Sequence, residues 1–137
     1  MRQLVKNIPI LHRLARIVKE TYRLKKSAQS SPIRIVIGAS GIFDDGWINT
    51  DIEYLNILIP GHWKRCFRKN SIDAILAEHV WEHLTIHDGL VGAKQCFEYL
   101  KPSGYLRVAV PDGFHPDPKY IERVKVGGTG PGADDHN

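Results

Sequence analysis

A short run of β-branched residues that stops at a glycine constrains the fold more than any other feature of the sequence. Residues 33–37 read Ile-Arg-Ile-Val-Ile, and Gly38 follows at once. Such a run is typical of a buried strand, because branched side chains pack well on a pleated surface. A chain of 137 residues is about one domain, so this strand belongs to its core. The sequence therefore predicts a sheet whose first strand enters a glycine loop.

Strands alternate with helices along residues 33–137, which we take as one domain. The expected elements are, in order, strand 33–37, strand 47–52, strand 71–77, helix 79–84, helix 88–100 with Asp88 as its N-cap, a turn at 101–104 and strand 105–110. Alternation of this kind favours an α/β fold with a mostly parallel sheet and flanking helices, which is a Rossmann-like arrangement.

Residues 1–32 form a separate, basic segment. Apolar residues at positions 4, 8, 11, 15, 18 and 22 follow helical spacing, and Asn7 with Pro9 marks the expected start of the main helix. Residues 1–31 hold eight Lys or Arg against Glu20 alone, a net charge of +7, whereas the remaining 106 residues carry −3. The segment is therefore predicted to be a basic amphipathic helix followed by a polar linker.

This helix has two interpretations. It could cover the sheet as a lid that buries Leu11, Ala15, Val18 and Tyr22, or residues 1–26 could lie on an anionic membrane surface. The mildly acidic remainder argues against a nucleic-acid partner.

The location of the chain follows from what its sequence lacks. No apolar run approaches the ~18 residues of a membrane span, and the first residues do not resemble a secretory signal. We therefore expect a cytoplasmic protein, in which residues 1–26 are the candidate segment for membrane contact. Cys66 and Cys96 are expected to be reduced.

Polar or glycine residues stand at the end of each predicted strand. Gly38-Ala39-Ser40-Gly41 follows the first strand, Asp51 ends the second, Glu78-His79 the third, and Pro111-Asp112 the fourth. Ligands of open α/β sheets bind at the carboxyl ends of strands. Small residues let backbone N–H groups approach a ligand, and a carboxylate can accept hydrogen bonds from both hydroxyls of a ribose. The sequence therefore predicts a binding site at this edge of the sheet.

Four of these stretches resemble the core of the class I S-adenosylmethionine-dependent methyltransferases. They are the glycine motif at 38–41, Gly-Trp-Ile-Asn-Thr-Asp-Ile at 46–52, Ala-Glu-His-Val-Trp-Glu-His-Leu at 77–84, and the Leu-Lys-Pro-Ser-Gly turn with its strand at 100–112. The resemblance spans roughly 80 of the 137 residues. It implies that S-adenosylmethionine is bound by Gly38, Ala39, Ser40, Gly41, Asp51, Ile52, Glu78 and His79.

Within that family pattern, Gly38 and Gly41 would lie under the methionine moiety and Asp51 would bind the ribose. Glu78 and His79 would lie beside the sulfonium. The resemblance also implies transfer of a methyl group to a small-molecule, sugar or lipid-linked acceptor. Neutral imidazole suits proton removal near neutral pH, so His79 or His83 could act as the general base. His83 is our candidate, because the strand-end residue of the family more often contacts the cofactor.

Two departures from the family pattern lead to an alternative. Only residues 42–46 separate Gly41 from Trp47, so the helix that usually follows the glycine motif is expected to be shortened or absent. The last two strands of the family would follow Asn137, so the chain looks truncated. The alternative is a non-catalytic fragment that binds S-adenosylmethionine or a partner protein.

Residues 79–83 also match His-x-x-Glu-His, an arrangement that binds zinc when both histidines lie on one helix turn. Glu98 is the candidate third ligand. The methyltransferase-like pattern already accounts for both histidines, so we expect no metal site.

Overall fold

The structure is a computed structural model that describes residues 2–39 and 45–130, with residues 2–9 described by their backbone alone. Within these ranges the elements are, in chain order, α1 (Arg2–Ser27), β1 (Arg34–Ile37), β2 (Ile48–Asn49), α2 (Pro60–Cys66), β3 (Ile72–Glu78), a 3₁₀ turn (Trp81–His83), α3 (Ile86–Tyr99), β4 (Leu100–Ala109) and α4 (Pro118–Val124).

The four strands form one parallel sheet in the order β2-β1-β3-β4. The α/β class and the parallel sheet that the sequence predicts are therefore confirmed. The chain leaves β1 on one side to form β2 and returns on the other side to form β3. The strand order thus reverses between β1 and β3, where Ile37 pairs with Ala77.

The predicted strand bounds agree with the structure for some strands and not for others. The β1 and β3 strands agree to within a residue at each end, but β2 covers two residues rather than six. It ends early because Thr50 is followed by turns in which the Asp51 carbonyl accepts hydrogen bonds from the N–H groups of Tyr54 and Leu55, at 3.1 and 2.8 Å.

The predicted turn at 101–104 is a bulge within β4. The register moves from Ile72↔Leu100 to Ala74↔Tyr105, so β4 contains three residues more than β3 over this interval. A Cβ on Gly104 would lie 2.9 Å from the Ile72 carbonyl oxygen, which explains the glycine at this close approach.

Two predicted features before α3 are wrong. Residues 79–84 do not form an α-helix, because His79 adopts a left-handed φ of 55° and only Trp81–His83 make a 3₁₀ turn. The N-cap of α3 is Thr85, not Asp88: the Thr85 hydroxyl accepts from the Asp88 N–H at 3.1 Å and donates to the Asp88 carboxylate at 2.9 Å.

The main core lies on one face of the sheet. Alternate residues of β1 and β3 point into it and meet side chains of α1, α2 and α3; they are Ile35, Ile37, Ile75, Ala77, Leu24, Trp63, Cys66, Cys96 and Tyr99. Trp63 is fully buried, stacks on Tyr99 at 5.1 Å between ring centroids and donates to the Ile57 carbonyl at 3.1 Å. Its indole thus joins α2 to α3.

Both cysteines are buried, free thiols. Burial raises the pKa of the Cys66 thiol and raises that of Cys96 to about 12, because the charged thiolate is poorly solvated in an apolar core. These side chains therefore act as small apolar core residues.

Helix α1 packs through a face that the sequence pattern does not indicate. Leu24 is fully buried and Ile17 is partly buried against the core. Arg13 and Arg16 both form ion pairs with Glu53, and Arg23 donates to the Asn49 carbonyl at 2.8 Å. The helix is therefore held to the segment after β2 by its arginines.

The predicted lid is consequently wrong. Leu11, Val18 and Tyr22 are exposed by 60%, 69% and 70%, and Ala15 is exposed as well. The helix also begins at Arg2 rather than near Asn7. In the parts of the chain that the structure describes, no helix combines the length and apolar character needed to cross a bilayer.

Asp73 joins three strands at the opposite edge of the sheet from the strand carboxyl ends. Its carboxylate accepts from the Ile33 N–H at 2.7 Å and from the Lys101 ammonium at 2.6 Å. The Lys101 hydrogen bond, helped by Ile33, holds the pKa of Asp73 below its usual value. The start of β1 and the bulge of β4 are both fixed to β3 in this way.

We expect Leu24→Ala to lower the free energy of unfolding by about 2–5 kcal/mol, because it leaves a cavity in the core. Val18→Ala, on the exposed side of the same helix, should change it by less than about 0.5 kcal/mol. Urea unfolding of both variants checks this. Equal losses would contradict the observed docking face of α1.

We expect Asp73→Asn to lower stability at pH 7 by about 1–2 kcal/mol, since it removes charged hydrogen bonds. A carboxyl with a lowered pKa stabilises the fold above its unfolded pKa near 4 and loses that contribution as the pH falls further. The difference between wild type and variant should therefore shrink below about pH 4, as measured by urea unfolding at several pH values. Glu122→Gln, in an exposed ion pair with Lys125, is the control and should show almost no difference at any pH.

Candidate functional site

The carboxyl ends of β1 and β3 lie side by side where the strand order reverses. Gly38 follows β1 with φ +70°, a conformation that L side chains rarely adopt. A Cβ on Gly38 would also lie 2.9 Å from the Val80 side chain, just after β3. The predicted Gly38 and the predicted Glu78-His79 corner therefore meet, and Gly38 has packing and conformational reasons to be glycine.

Thr50 ties the end of β1 to the end of β2. It is fully buried, and both its N–H and its hydroxyl donate to the Val36 carbonyl, at 2.9 and 2.8 Å. Its own carbonyl accepts from the Ala39 N–H at 3.0 Å. The predicted ligand Ala39 therefore uses its N–H within the fold, whereas Ser40, Gly41 and most of the expected short helix lie outside the described residues.

Asp51 stands directly after this link, at the carboxyl end of β2. One carboxylate oxygen accepts from the Glu53 N–H at 2.9 Å, which orients the side chain. The neighbouring Ile52 is 69% exposed. The two predicted residues thus place a carboxylate and an exposed apolar side chain together beside β1.

Glu78 ends β3 on the face opposite the main core. Its carboxylate pairs with Arg107 of β4 at 3.1 Å, and both side chains are largely exposed. Surface pairs of this kind contribute little to stability. The pair nevertheless directs the Glu78 carboxylate along the sheet toward β4.

His79 and Glu82 form a dyad at the end of β3. The His79 N–H donates to the Ala109 carbonyl at 3.0 Å, which fixes the corner to β4, and its Nδ1 lies 3.0 Å from Glu82 Oε1. Glu82 is only 11% exposed, whereas His79 is 53% exposed. Among the described residues the second oxygen of Glu82 is buried and has no hydrogen-bond partner.

This dyad has the geometry of an oriented base. When the neutral imidazole of His79 donates its Nδ1–H to Glu82, Nε2 becomes the acceptor. A carboxylate in this position fixes the ring and stabilises the protonated form, as in other histidine–carboxylate pairs. Glu82 is not among the site residues predicted from the sequence. Its spacing of three residues from His79 is compatible with the pair but does not by itself indicate it.

His83, the predicted general base, lies in the 3₁₀ turn and is half-buried. Trp81, two residues before His83, packs against α3: a Cβ on Gly89 would lie 3.5 Å from the Trp81 indole. The structure thus brings His83 to the same corner as His79, on a turn that rests against α3.

The zinc interpretation requires an α-helix over 79–83, which the left-handed His79 excludes. Glu98, the candidate third ligand, pairs with Lys69 at 2.8 Å. In the described ranges no group of three or more His, Cys, Asp or Glu side chains could hold a metal ion.

A cavity of about 270 Å³ adjoins the dyad. Its walls come from the turn after β3, the segment after β4 and helix α4, and they comprise Glu82, Pro111, Gly113, Ile121, Val124 and Lys125. Helix α4 has no counterpart among the elements predicted from the sequence. The cavity wall is mainly apolar, and Glu82 and Lys125 are the two charged residues that contribute to it. The Lys125 ammonium pairs with Glu122 at 2.6 Å.

The segment after β4 is held by its own hydrogen bonds. Asp112 accepts from the Phe114 N–H at 2.9 Å, and the Asp112 N–H donates to the Tyr120 hydroxyl at 3.1 Å. His115 packs on the Tyr120 ring at 4.2 Å between centroids. Helix α4 is therefore fixed beside the end of β4, so that it can form a wall of the cavity.

Comparison of the chain with protein-family models, with curated proteins and with solved structures found no match.

We expect Gly38→Ala to destabilise the fold more than Gly46→Ala. Both glycines have positive φ, which costs an alanine about 1–2 kcal/mol, but only Gly38 faces a contact at 2.9 Å, whereas a Cβ on Gly46 would meet nothing within 4 Å. Urea unfolding should show the excess, and a Val80→Ala background should remove it. Equal losses in the wild-type background would show that Gly38 and Val80 are not in close contact.

Proposed function

We propose that this chain has a Rossmann-like fold that binds S-adenosylmethionine and supports methyl transfer. The observation that carries the proposal is the strand order β2-β1-β3-β4. It gathers Gly38, Asp51 and His79 at neighbouring strand carboxyl ends, beside the point where the order reverses. Open α/β sheets bind their ligands at this point.

The residues after β2 fit the nucleoside part of the cofactor. Asp51 keeps acceptor capacity beyond its bond to Glu53, because an ionised carboxylate has about four lone-pair sites. It would accept from the ribose hydroxyls, and the exposed side chain of Ile52 would cover one face of the adenine. The Ala39 N–H already donates to the Thr50 carbonyl, so it would not donate to the cofactor. Gly38 would instead let the backbone approach the cofactor closely.

S-adenosylmethionine supplies, when bound, an electrophilic methyl group on its sulfonium. The chain's task would be to place an acceptor in line with that methyl group and to receive the acceptor's proton. His79 Nε2 would take the proton, and Glu82, at 3.0 Å from Nδ1, would stabilise the resulting imidazolium. His83 remains our sequence-based candidate for the same role, on the adjoining turn.

The cavity beside Glu82 would take the acceptor. Its volume of about 270 Å³ suits a small molecule or one residue of a longer acceptor. The apolar side chains of Ile121 and Val124 would exclude water from one side.

A non-catalytic interaction module is the second candidate, and one observation favours it. Ile86, Leu90 and Phe97 of α3 are exposed by 90%, 68% and 79%. Because they recur at helical spacing, they form an apolar face on α3. Such a face could bind a partner protein whether or not the chain binds S-adenosylmethionine.

Calorimetric titration of the whole chain with S-adenosylmethionine and S-adenosylhomocysteine tests the proposal. We expect micromolar binding of both, weakened at least about tenfold by Asp51→Asn, which keeps the acceptor for the Glu53 N–H but removes the charge facing the ribose. Asp112→Asn is the matched control, because Asp112 accepts from the Phe114 N–H in the same local arrangement at the end of β4. It should leave the affinity unchanged.

The two candidates give different results. A folded chain that binds neither compound contradicts the cofactor proposal and favours the interaction module. Equal weakening by Asp51→Asn and Asp112→Asn would show that the ribose does not lie at the end of β2.

A further inference from the structure

Helix α1 presents a continuous apolar surface away from the core. Five side chains on one side of the helix are more than half exposed, and we call them the apolar stripe: Ile10, Leu11, Leu14, Val18 and Tyr22. They recur at intervals of three and four residues, so they lie on one face. The stripe is the feature that the predicted lid would have buried.

The stripe is separated from the sheet by the contacts on the other side of the helix. Leu24 is fully buried, and Arg13 and Arg16 pair with Glu53. Turning the stripe inward would break these ion pairs and expose Leu24. The orientation of α1 therefore leaves the apolar stripe exposed and available to a binding partner.

A basic cavity lies at the end of the same helix. It has a volume of about 510 Å³, and its described lining includes Lys25, Gln29, Lys64, Arg65, Arg68 and Ser71. Four of these residues are cationic and none is acidic. The cavity lies near the starts of β1 and β3, since Gln29 precedes β1 and Ser71 precedes β3, and thus at the opposite edge from the candidate cofactor site.

Lys25 joins the apolar stripe to the basic cavity. It follows Leu11 and Val18 at successive seven-residue intervals, so it lies on the same face of α1, and it also lines the cavity. The apolar side chains and the cationic cavity are consequently parts of one continuous surface.

We propose that this surface lies on an anionic phospholipid bilayer, with the apolar stripe among the upper acyl chains and the basic cavity around lipid phosphates. Exposed apolar side chains beside lysines and arginines are what binding in the plane of such an interface requires. Residues 1–31 carry a net charge of +7, whereas the remainder carries −3. The attraction therefore also orients the molecule with α1 toward the lipid.

A second copy of the chain is a poorer occupant for the same surface. Pairing two α1 helices through their stripes would place one +7 segment against another and would bring the cations of the two cavities closer together. Like charges repel over about 8 Å at physiological salt. An anionic bilayer neutralises these charges instead.

Vesicle sedimentation with the full chain tests the proposal. The vesicles are pure phosphatidylcholine, or phosphatidylcholine with about 30% phosphatidylglycerol, each at low and high salt. We expect binding to the anionic vesicles only, and weaker binding at high salt.

Paired variants separate the two parts of the surface. Val18→Glu places a charge in the stripe, and Lys64→Glu combined with Arg68→Glu reverses two charges of the cavity. Each should weaken binding at least about tenfold. The matched controls lie on α3, where Phe97 and Lys94 are likewise exposed. Phe97→Glu and Lys94→Glu should change binding less than about twofold, and circular dichroism should show every variant folded.

Three results would overturn the proposal. Equal binding to neutral and anionic vesicles would remove the electrostatic part, and no binding to either would remove all of it. A wild-type dimer that Val18→Glu converts to monomer, seen by light scattering together with no vesicle binding, would assign the stripe to a second copy. None of these results tests whether the chain binds S-adenosylmethionine.

Discussion

The pairing of β1 with β3 is the constraint on which the rest of the structure depends. Because β1 lies inside the sheet and helices cover its inward face, its inward residues are apolar, and Ile35 and Ile37 are almost completely buried. The same pairing sets Ile37 beside Ala77, which brings Gly38 and His79 to one place. The carboxyl ends of parallel strands lie at the same edge of the sheet. The residues that follow β2 and β4 therefore come to lie at this edge too. The location of the candidate site is therefore a consequence of strand order.

The sequence predicts the sheet well because β-branched runs leave few alternatives. It predicts α1 poorly in one respect, although the helix itself is correct. The apolar residues at 11, 18 and 22 form the clearest periodic pattern in the segment, yet the docked face is made by Leu24, Ile17 and arginines that find Glu53. Ion pairs with a residue 37 or more positions away cannot be derived from periodicity, which records only what is apolar and not what is buried.

The candidate site likewise contains residues that the sequence predicts and residues that it does not. Gly38 and the Glu78-His79 corner could be placed at strand ends from the sequence, because each follows an apolar run directly. Asp51 could be placed there because it closes the short strand-like run that begins at Trp47. The His79–Glu82 pair could not, since it depends on the left-handed φ of His79, which ends β3 and prevents an α-helix. The cavity beside Glu82 also depends on α4, whose position follows from Tyr120 and Asp112 rather than from any local pattern.

The short segment from Asn49 to Glu53 belongs to two surfaces at once. The Asn49 carbonyl and the Glu53 carboxylate hold α1, whereas Thr50 fixes Ala39 and the Glu53 N–H orients Asp51. The helix and the nucleoside end of the candidate site are thus joined by five consecutive residues and no flexible linker. A ligand that shifted this segment at one surface would change the free energy of binding at the other, by the same amount in both directions.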